Sequence, residues 1–140
     1  MKHTDTLYTA FTGGAVAGIA YLFGGLDNLL FALAIIMVID FVTGVSASAT
    51  ANAKEKTNSK RAIKGVAKKA AMLSLVILAN QLDIIAGSDE AHFMRNAMIF
   101  FLIGTEGISI LENMERLGVP FPKFIKDRFE QMQDEKDDLK

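Results

Sequence analysis

The chain has 140 residues, 51% of them hydrophobic, with no Cys and a formal net charge of −1. That length allows one domain at most. The missing cysteines exclude disulfides and thiolate metal sites, and the balanced charge gives no general attraction to polyanions. The only histidines, His3 and His92, have no second ligand at helical spacing, so no metal or cofactor is expected. No nucleophile–base pair is apparent either, so an enzyme is not expected.

The first apolar run covers 7–26 and is rich in Ala and Gly. Twenty helical residues span about 30 Å, the thickness of a bilayer's hydrocarbon core. The stretch before the run holds one Lys, and Gly13, Gly14 and Gly18 interrupt it. A retained helix is therefore favoured over a cleaved signal peptide. Ala10, Gly14 and Gly18 recur every four positions, a spacing that lets helix backbones approach closely. This stripe is either a self-association face or a face packed on the second run. Gly25, Asp27 and Asn28 are turn residues. So short a link favours an antiparallel hairpin with the second run.

The second run covers 29–45, and residues 29–39 contain no polar position. A helix of a soluble bundle would show a polar face there. Gly44 is a further small residue at which helices can pack closely. Residues 46–65 form a polar, basic loop. A third run, 66–86, ends at Gly87-Ser88-Asp89-Glu90, and a fourth covers 94–111. Pro120 and Pro122 then break the helix. In the tail, Phe124, Ile125, Phe129 and Met132 recur at near-helical spacing among Lys123, Lys126 and Arg128. That pattern predicts a short amphipathic helix at the membrane surface, followed by a solvated end. The expected fold is all-α: an integral membrane bundle of about four transmembrane helices in residues 1–118, then a cytoplasmic tail, 119–140.

Charge sets the expected orientation. Lysine and arginine stay preferentially on the cytoplasmic side. Lys54, Lys56, Lys60, Arg61, Lys64, Lys68 and Lys69 lie between the second and third runs, and six more cations follow Leu111. With Lys2, 14 of the 15 fall inside if both termini are cytoplasmic, leaving Arg95 outside. Lys60, Arg61, Lys64, Lys68 and Lys69 are candidates for contact with anionic head groups. Nucleic acid is not an expected partner, because no aromatics interleave with these cations.

Three carboxylates interrupt the apolar runs: Asp40, Asp83 and Glu106. Each costs at least about 2.5–3.5 kcal/mol near the bilayer centre, so each needs a partner, water or a proton. Asp40 and Glu106 lie at a similar depth near the cytoplasmic side, where Lys68 and Lys69 can neutralise them. Asp83 and Arg95 lie near the other side and are expected to pair. Glu106, Ser109 and Asn113 share one helical face, and Asn80 and Asp83 share another. These stripes either line an aqueous path in an oligomer or bind helices together.

Two blocks carry a family resemblance. The first is Asp40-Phe41-Val42-Thr43-Gly44, followed by Ile63-Lys64-Gly65-Val66-Ala67-Lys68-Lys69 and an apolar run ending at Leu82-Asp83. The second is Glu106-Gly107-Ile108-Ser109-Ile110-Leu111-Glu112-Asn113, then Leu117-Gly118-Val119-Pro120-Phe121-Pro122-Lys123. Together, over about Ile36 to Arg128, they resemble the toxin-secretion/phage-lysis holin family. The resemblance implies a non-enzymatic protein that assembles with itself in the host cytoplasmic membrane and releases an endolysin. An antiholin partner, or an antiholin role, is also implied as an option. A small ion-channel or transporter subunit is the alternative from a different class.

Overall fold

A computed structural model describes residues 2–50, 59–87, 91–120, 122–125 and 127, with side chains described from Thr6 in the first helix and from Ala62 in the third. Its elements are α1 (Lys2–Phe23), α2 (Asn28–Thr50), α3 (Ser59–Ile85) and α4 (Phe93–Arg116). The described residues contain no strand.

Local chemistry sets the helix ends. At the end of α1, Gly24 adopts φ 71° and Gly25 donates its N–H to Ala20 O at 2.7 Å. Left-handed glycine is the usual way to close a helix and satisfy its last carbonyls. Asp27 then caps α2: its Oδ1 accepts the Leu30 N–H at 2.9 Å. Gly118, at φ 73°, ends α4 in the same manner as Gly24, and Val119 N–H reaches back to Met114 O at 3.0 Å.

Helices α2 and α4 run parallel and α3 runs antiparallel to both. Their shared core is Leu33 and Met37 from α2, Met72 and Val76 from α3, and Ile99 and Leu102 from α4. The polarity of the bundle is inverted relative to a water-soluble protein. Asn80, Asp83, Arg95, Glu106 and Asn113 are buried, while Phe31, Ile35, Val38, Val42, Leu78, Phe100 and Phe101 are exposed. Water-soluble proteins rarely bury Arg, Asp or Glu fully or expose so large an apolar surface. The outer face of this bundle suits hydrocarbon.

Three helices are long and apolar enough to cross a membrane: Thr6–Phe23, Asn28–Thr50 and Phe93–Arg116. The third expected span, 66–86, is not among them. Its helix α3 exists, but between Lys69 and Asp83 only Ala70–Leu82 is free of charge. Thirteen residues cover about 20 Å, short of the hydrocarbon thickness.

The helices also overrun their expected ends. Residues 46–50 and 59–65, read from the sequence as loop, are helical. Residues 51–58 of that loop lie outside the described residues, as do the side chains of Lys60 and Arg61. Past α4, residues 123–125 are helical, and Ile125 N–H bonds Pro122 O at 3.0 Å. Phe129 and Met132, needed for the amphipathic pattern, fall outside the described residues.

The expected hairpin of the first two segments does not form. Helix α1 contacts α3, not α2. Between Thr6 and Ile19 every residue except Thr12 is exposed. The glycine pair at 24–25 turns the chain away, and the last turn of α1 is held by α3 instead. A Cβ on Gly24 would collide with the Asn80 side chain in addition to its positive φ. Gly24→Ala is therefore expected to destabilise the bundle by about 1 kcal/mol or more. Gly13→Ala, with nothing within 4 Å of its Cβ, is expected to be neutral or better. Thermal unfolding of the two variants in detergent, followed by helical circular dichroism, checks the difference.

Candidate functional site: two charge networks and a crevice

The buried polar groups gather at the two ends of the bundle. At one end the centre is Lys69 on α3. Its Nζ donates to Asp40 Oδ2 on α2 at 2.9 Å and to Glu106 Oε2 on α4. Glu106 is 1% exposed at its side chain, whereas Asp40 and Lys69 are 14% and 17% exposed. Two carboxylates thus share one ammonium, and the more buried carboxylate has no aqueous alternative. Asn113, one further turn along α4 beyond Ser109, donates its Nδ2 to Asp40 Oδ1 at 3.1 Å and to Thr43 Oγ1 at 3.3 Å. Gly44 lies against this amide, and a Cβ there would sit 3.3 Å from Asn113 Nδ2. The glycine therefore lets α4 approach α2 closely at this level.

At the other end the centre is Arg95 on α4, which is completely buried. Its Nη1 and Nη2 donate to Asp27 Oδ2 and Oδ1 at 2.7 and 3.0 Å, a two-pronged pair. Its Nε donates to Phe23 O at 2.6 Å and Nη2 also donates to Gly25 O at 3.2 Å. One guanidinium thus satisfies the open carbonyls at the end of α1 and the carboxylate that caps α2. Asn80 Nδ2 adds bonds to Tyr21 O and Leu22 O, both 3.1 Å. Asp83 meets Arg95 at the backbone: its Oδ1 and Oδ2 accept the N–H groups of Met94 and Arg95 at 2.9 and 2.8 Å. The carboxylate caps the start of α4, where the helix dipole favours negative charge. The guanidinium that the charge argument pointed toward Asp83 is directed to Asp27.

A crevice of about 540 Å³ opens beside the Lys69 network. Asp40, Ser109 and Asn113 line its inner part, Phe41 and Val45 one wall, and Lys68 and Arg116 are also at its surface. Lys68 and Arg116 are exposed, as is Lys64, which does not line the crevice. Among the sequence candidates, the structure thus brings together Asp40, Lys69, Glu106, Ser109, Asn113 and Gly44 at one end. It brings together Asn80 and Asp83 at the other. Ala10, Gly14 and Gly18 join neither group: all three are exposed, and nothing lies within 4 Å of a Cβ on either glycine.

Sequence reasoning treated Asp27 as a turn residue and missed its pairing. The signal was present: Arg95 is the lone cation on its side, and Asp27 is an acid in the break that faces it. Thr43 was missed because a threonine bonded to its own helix, here to Ile39 O at 2.9 Å, leaves no mark in the sequence.

The sequence profile of the bacteriophage holin family matches residues 17–134. The uncharacterised protein Lin0175 of Listeria innocua is 42% identical over 113 residues, covering 81% of this chain and 76% of its own. The uncharacterised protein YqxH of Bacillus subtilis is 34% identical over 120 residues, 86% of this chain and 81% of its own. A probable holin of Bacillus phage phi105 is 34% identical over 118 residues, 84% and 83% of the two chains. No solved structure matches.

Lys69 provides a sharp test of the first network. Removing one partner of a buried pair costs about 3–5 kcal/mol, because the remaining charge is uncompensated. Lys69→Met is expected to abolish stable insertion, and the triple change Lys69→Met, Asp40→Asn, Glu106→Gln to restore much of it. Protease resistance of membrane-inserted protein measures both. The second network predicts a pH dependence. The Arg95 guanidinium beside Asp27, in the turn outside the spans, holds its carboxyl below the usual value of 3.8. The folded chain therefore binds fewer protons there than the unfolded chain. The stability this gives is present above the ordinary carboxylate pKa and is lost as pH falls through the lower folded value. Wild type is expected to exceed Asp27→Asn in thermal midpoint at pH 7, with the margin closing below about pH 4.

Proposed function

The chain belongs to the bacteriophage holin family, and on that premise we propose that it oligomerises in the host cytoplasmic membrane and permeabilises it, releasing an endolysin and timing cell lysis. The observation that carries this reading is the family match across residues 17–134. Packing supports the oligomer. The core between α2, α3 and α4 is filled by Leu33, Met37, Met72, Val76, Ile99 and Leu102. A single chain therefore encloses no protein-sized hole, and such a hole takes many copies. Helix α1 has the free surface for this: Leu7, Tyr8, Phe11 and Val16 are exposed beside the open Gly14 and Gly18.

In this reading α3 is the fourth span. Lys69 and Asp83 are tolerable within it because each has a partner on a neighbouring helix: Lys69 on Asp40 and Glu106, and Asp83 on the start of α4. Both termini then lie in the cytoplasm with the basic end of the bundle, where Lys64, Lys68 and Arg116 gather. The partners are other copies of the chain, membrane lipid, an endolysin and an antiholin where one exists. The reading assigns no catalysis. The crevice lined by Asp40, Ser109 and Asn113 favours one alternative, a narrow ion path in a channel or transporter subunit. An antiholin that restrains a related pore is another.

Induced expression in bacteria, with and without a cytoplasmic endolysin, separates these readings. Abrupt lysis only with the endolysin is expected. Continued growth with an intact membrane potential overturns the proposal. Loss of potential with the endolysin retained assigns the ion path, and delayed lysis beside a related holin assigns the antiholin. The self-association face has its own test. Gly14→Ile with Gly18→Ile is expected to reduce cross-linked oligomers several-fold while leaving monomer helicity unchanged, since among the described residues nothing lies within 4 Å of a Cβ at either position.

A further inference from the structure

We propose that the crevice between α2, α3 and α4 is a binding site for one phospholipid, whose phosphate is held by Lys68 and Arg116 and whose acyl chain lies along Phe41 and Val45. The site needs only membrane insertion, so it stands apart from the lysis reading.

Charge complementarity selects the occupant. Lys68 and Arg116 both line the crevice, and neither has an ion-pair partner among the described residues. The third cation, Lys69, is already committed to Asp40 and Glu106. Asp40 is itself held by Lys69 and by the Asn113 amide, so its charge is already paired. Two uncommitted cations at the opening of a cavity call for an anion. An arginine and a lysine together supply the donors that a phosphodiester takes.

The rest of the wall distinguishes a lipid from a free ion. Phe41 is 39% exposed and Val45 41% exposed, both on the α2 side of the crevice. Across from them on α3 are Ala62 and Gly65, and a Cβ on Gly65 would meet nothing within 4 Å. A small anion leaves these apolar walls uncovered. A phospholipid covers both parts at once, with its phosphate at the basic opening and a chain against the apolar side. The volume, about 540 Å³, is in the range of about 300–1,000 Å³ usual for bound small molecules. Basic pockets between transmembrane helices on the cytoplasmic side are a general means of holding anionic head groups.

The test is native mass spectrometry of the full chain released from micelles supplemented with phosphatidylglycerol. Wild type is expected to retain one lipid per chain. Lys68→Gln with Arg116→Gln is expected to lower that occupancy about tenfold. Lys64→Gln with Lys123→Gln, which removes the same charge from outside the crevice, is expected to leave it unchanged. Gly65→Leu places a side chain in the crevice from a position whose Cβ meets nothing within 4 Å, and is expected to expel the lipid while helicity is retained. Equal losses in the two double variants would reduce the effect to general surface charge and overturn the proposal. So would retention no better than the micelle background. Displacement of the lipid by inorganic phosphate would assign the site to the free ion and would also overturn it.

Discussion

A cation placed between two acids inside an apolar bundle fixes the rest of this structure. Lys69 reaches Asp40 on α2 and Glu106 on α4, so one side chain ties all three packed helices at one level. Each of these groups alone would cost several kcal/mol in hydrocarbon. Together they cost much less, but only if α3 sits at one rotation and one depth. A turn of α3 by one residue would swing Lys69 about 100° away from both acids. The ion pair therefore sets the register, and the surrounding Leu and Val residues fill in around it. Apolar contacts alone would not define that register. In lipid they have little hydrophobic drive to favour one packing over another.

The opposite end uses a different solution to the same difficulty. There the unsatisfied groups are helix termini: the carbonyls ending α1 and the amides starting α4. Arg95 supplies donors to Phe23 O and Gly25 O, and the Asp83 carboxylate supplies acceptors to Met94 and Arg95. Helix ends at the edge of the spans are tolerated where protein satisfies their backbone in this way. The charged side chains at this end are thus caps first and ion pairs second. Asn80 and Asp83 are both bound into this capping. Asp40, Ser109 and Asn113, at the other end, border the crevice.

Much of this was legible in the sequence, and the limits have physical causes. Apolar length gives helices α2 and α4 directly, because residues 29–39 and 97–103 are apolar at every position, on all faces of a helix. Depth along a helix is linear in sequence, so placing Asp40, Glu106 and the Lys68–Lys69 pair at one level needed only the rise per residue. Choosing between Lys68 and Lys69 needed helix rotation, which the packing of Met72 and Val76 against Leu33 and Ile99 decides. The placement of α1 was not legible. A short link favours a hairpin only when the turn allows it, and Gly24 and Gly25, both at positive φ, direct the chain elsewhere. The partner of Arg95 was misassigned for a related reason. Asp83 and Asp27 are both near it, and the choice depends on which backbone termini meet there.

Helix α1 then acquires a meaning that its sequence left open. In a self-contained four-helix bundle it would bury its small-residue stripe against a neighbour. Here Ala10, Gly14 and Gly18 are exposed, and the helix is held near its C-terminal end through Tyr21, Leu22 and Phe23. Among the described residues of α1, Phe23 alone packs against the three-helix core. In the proposed assembly, an apolar helix held at its C-terminal end, where its carbonyls accept from Asn80 and Arg95, can exchange lipid contacts along the rest of its length for contacts with another copy. This division separates two requirements that conflict in one rigid bundle: a stable inserted monomer and a surface free to associate. In the proposed assembly the charges stabilise the first, and leaving α1 unpacked provides the second.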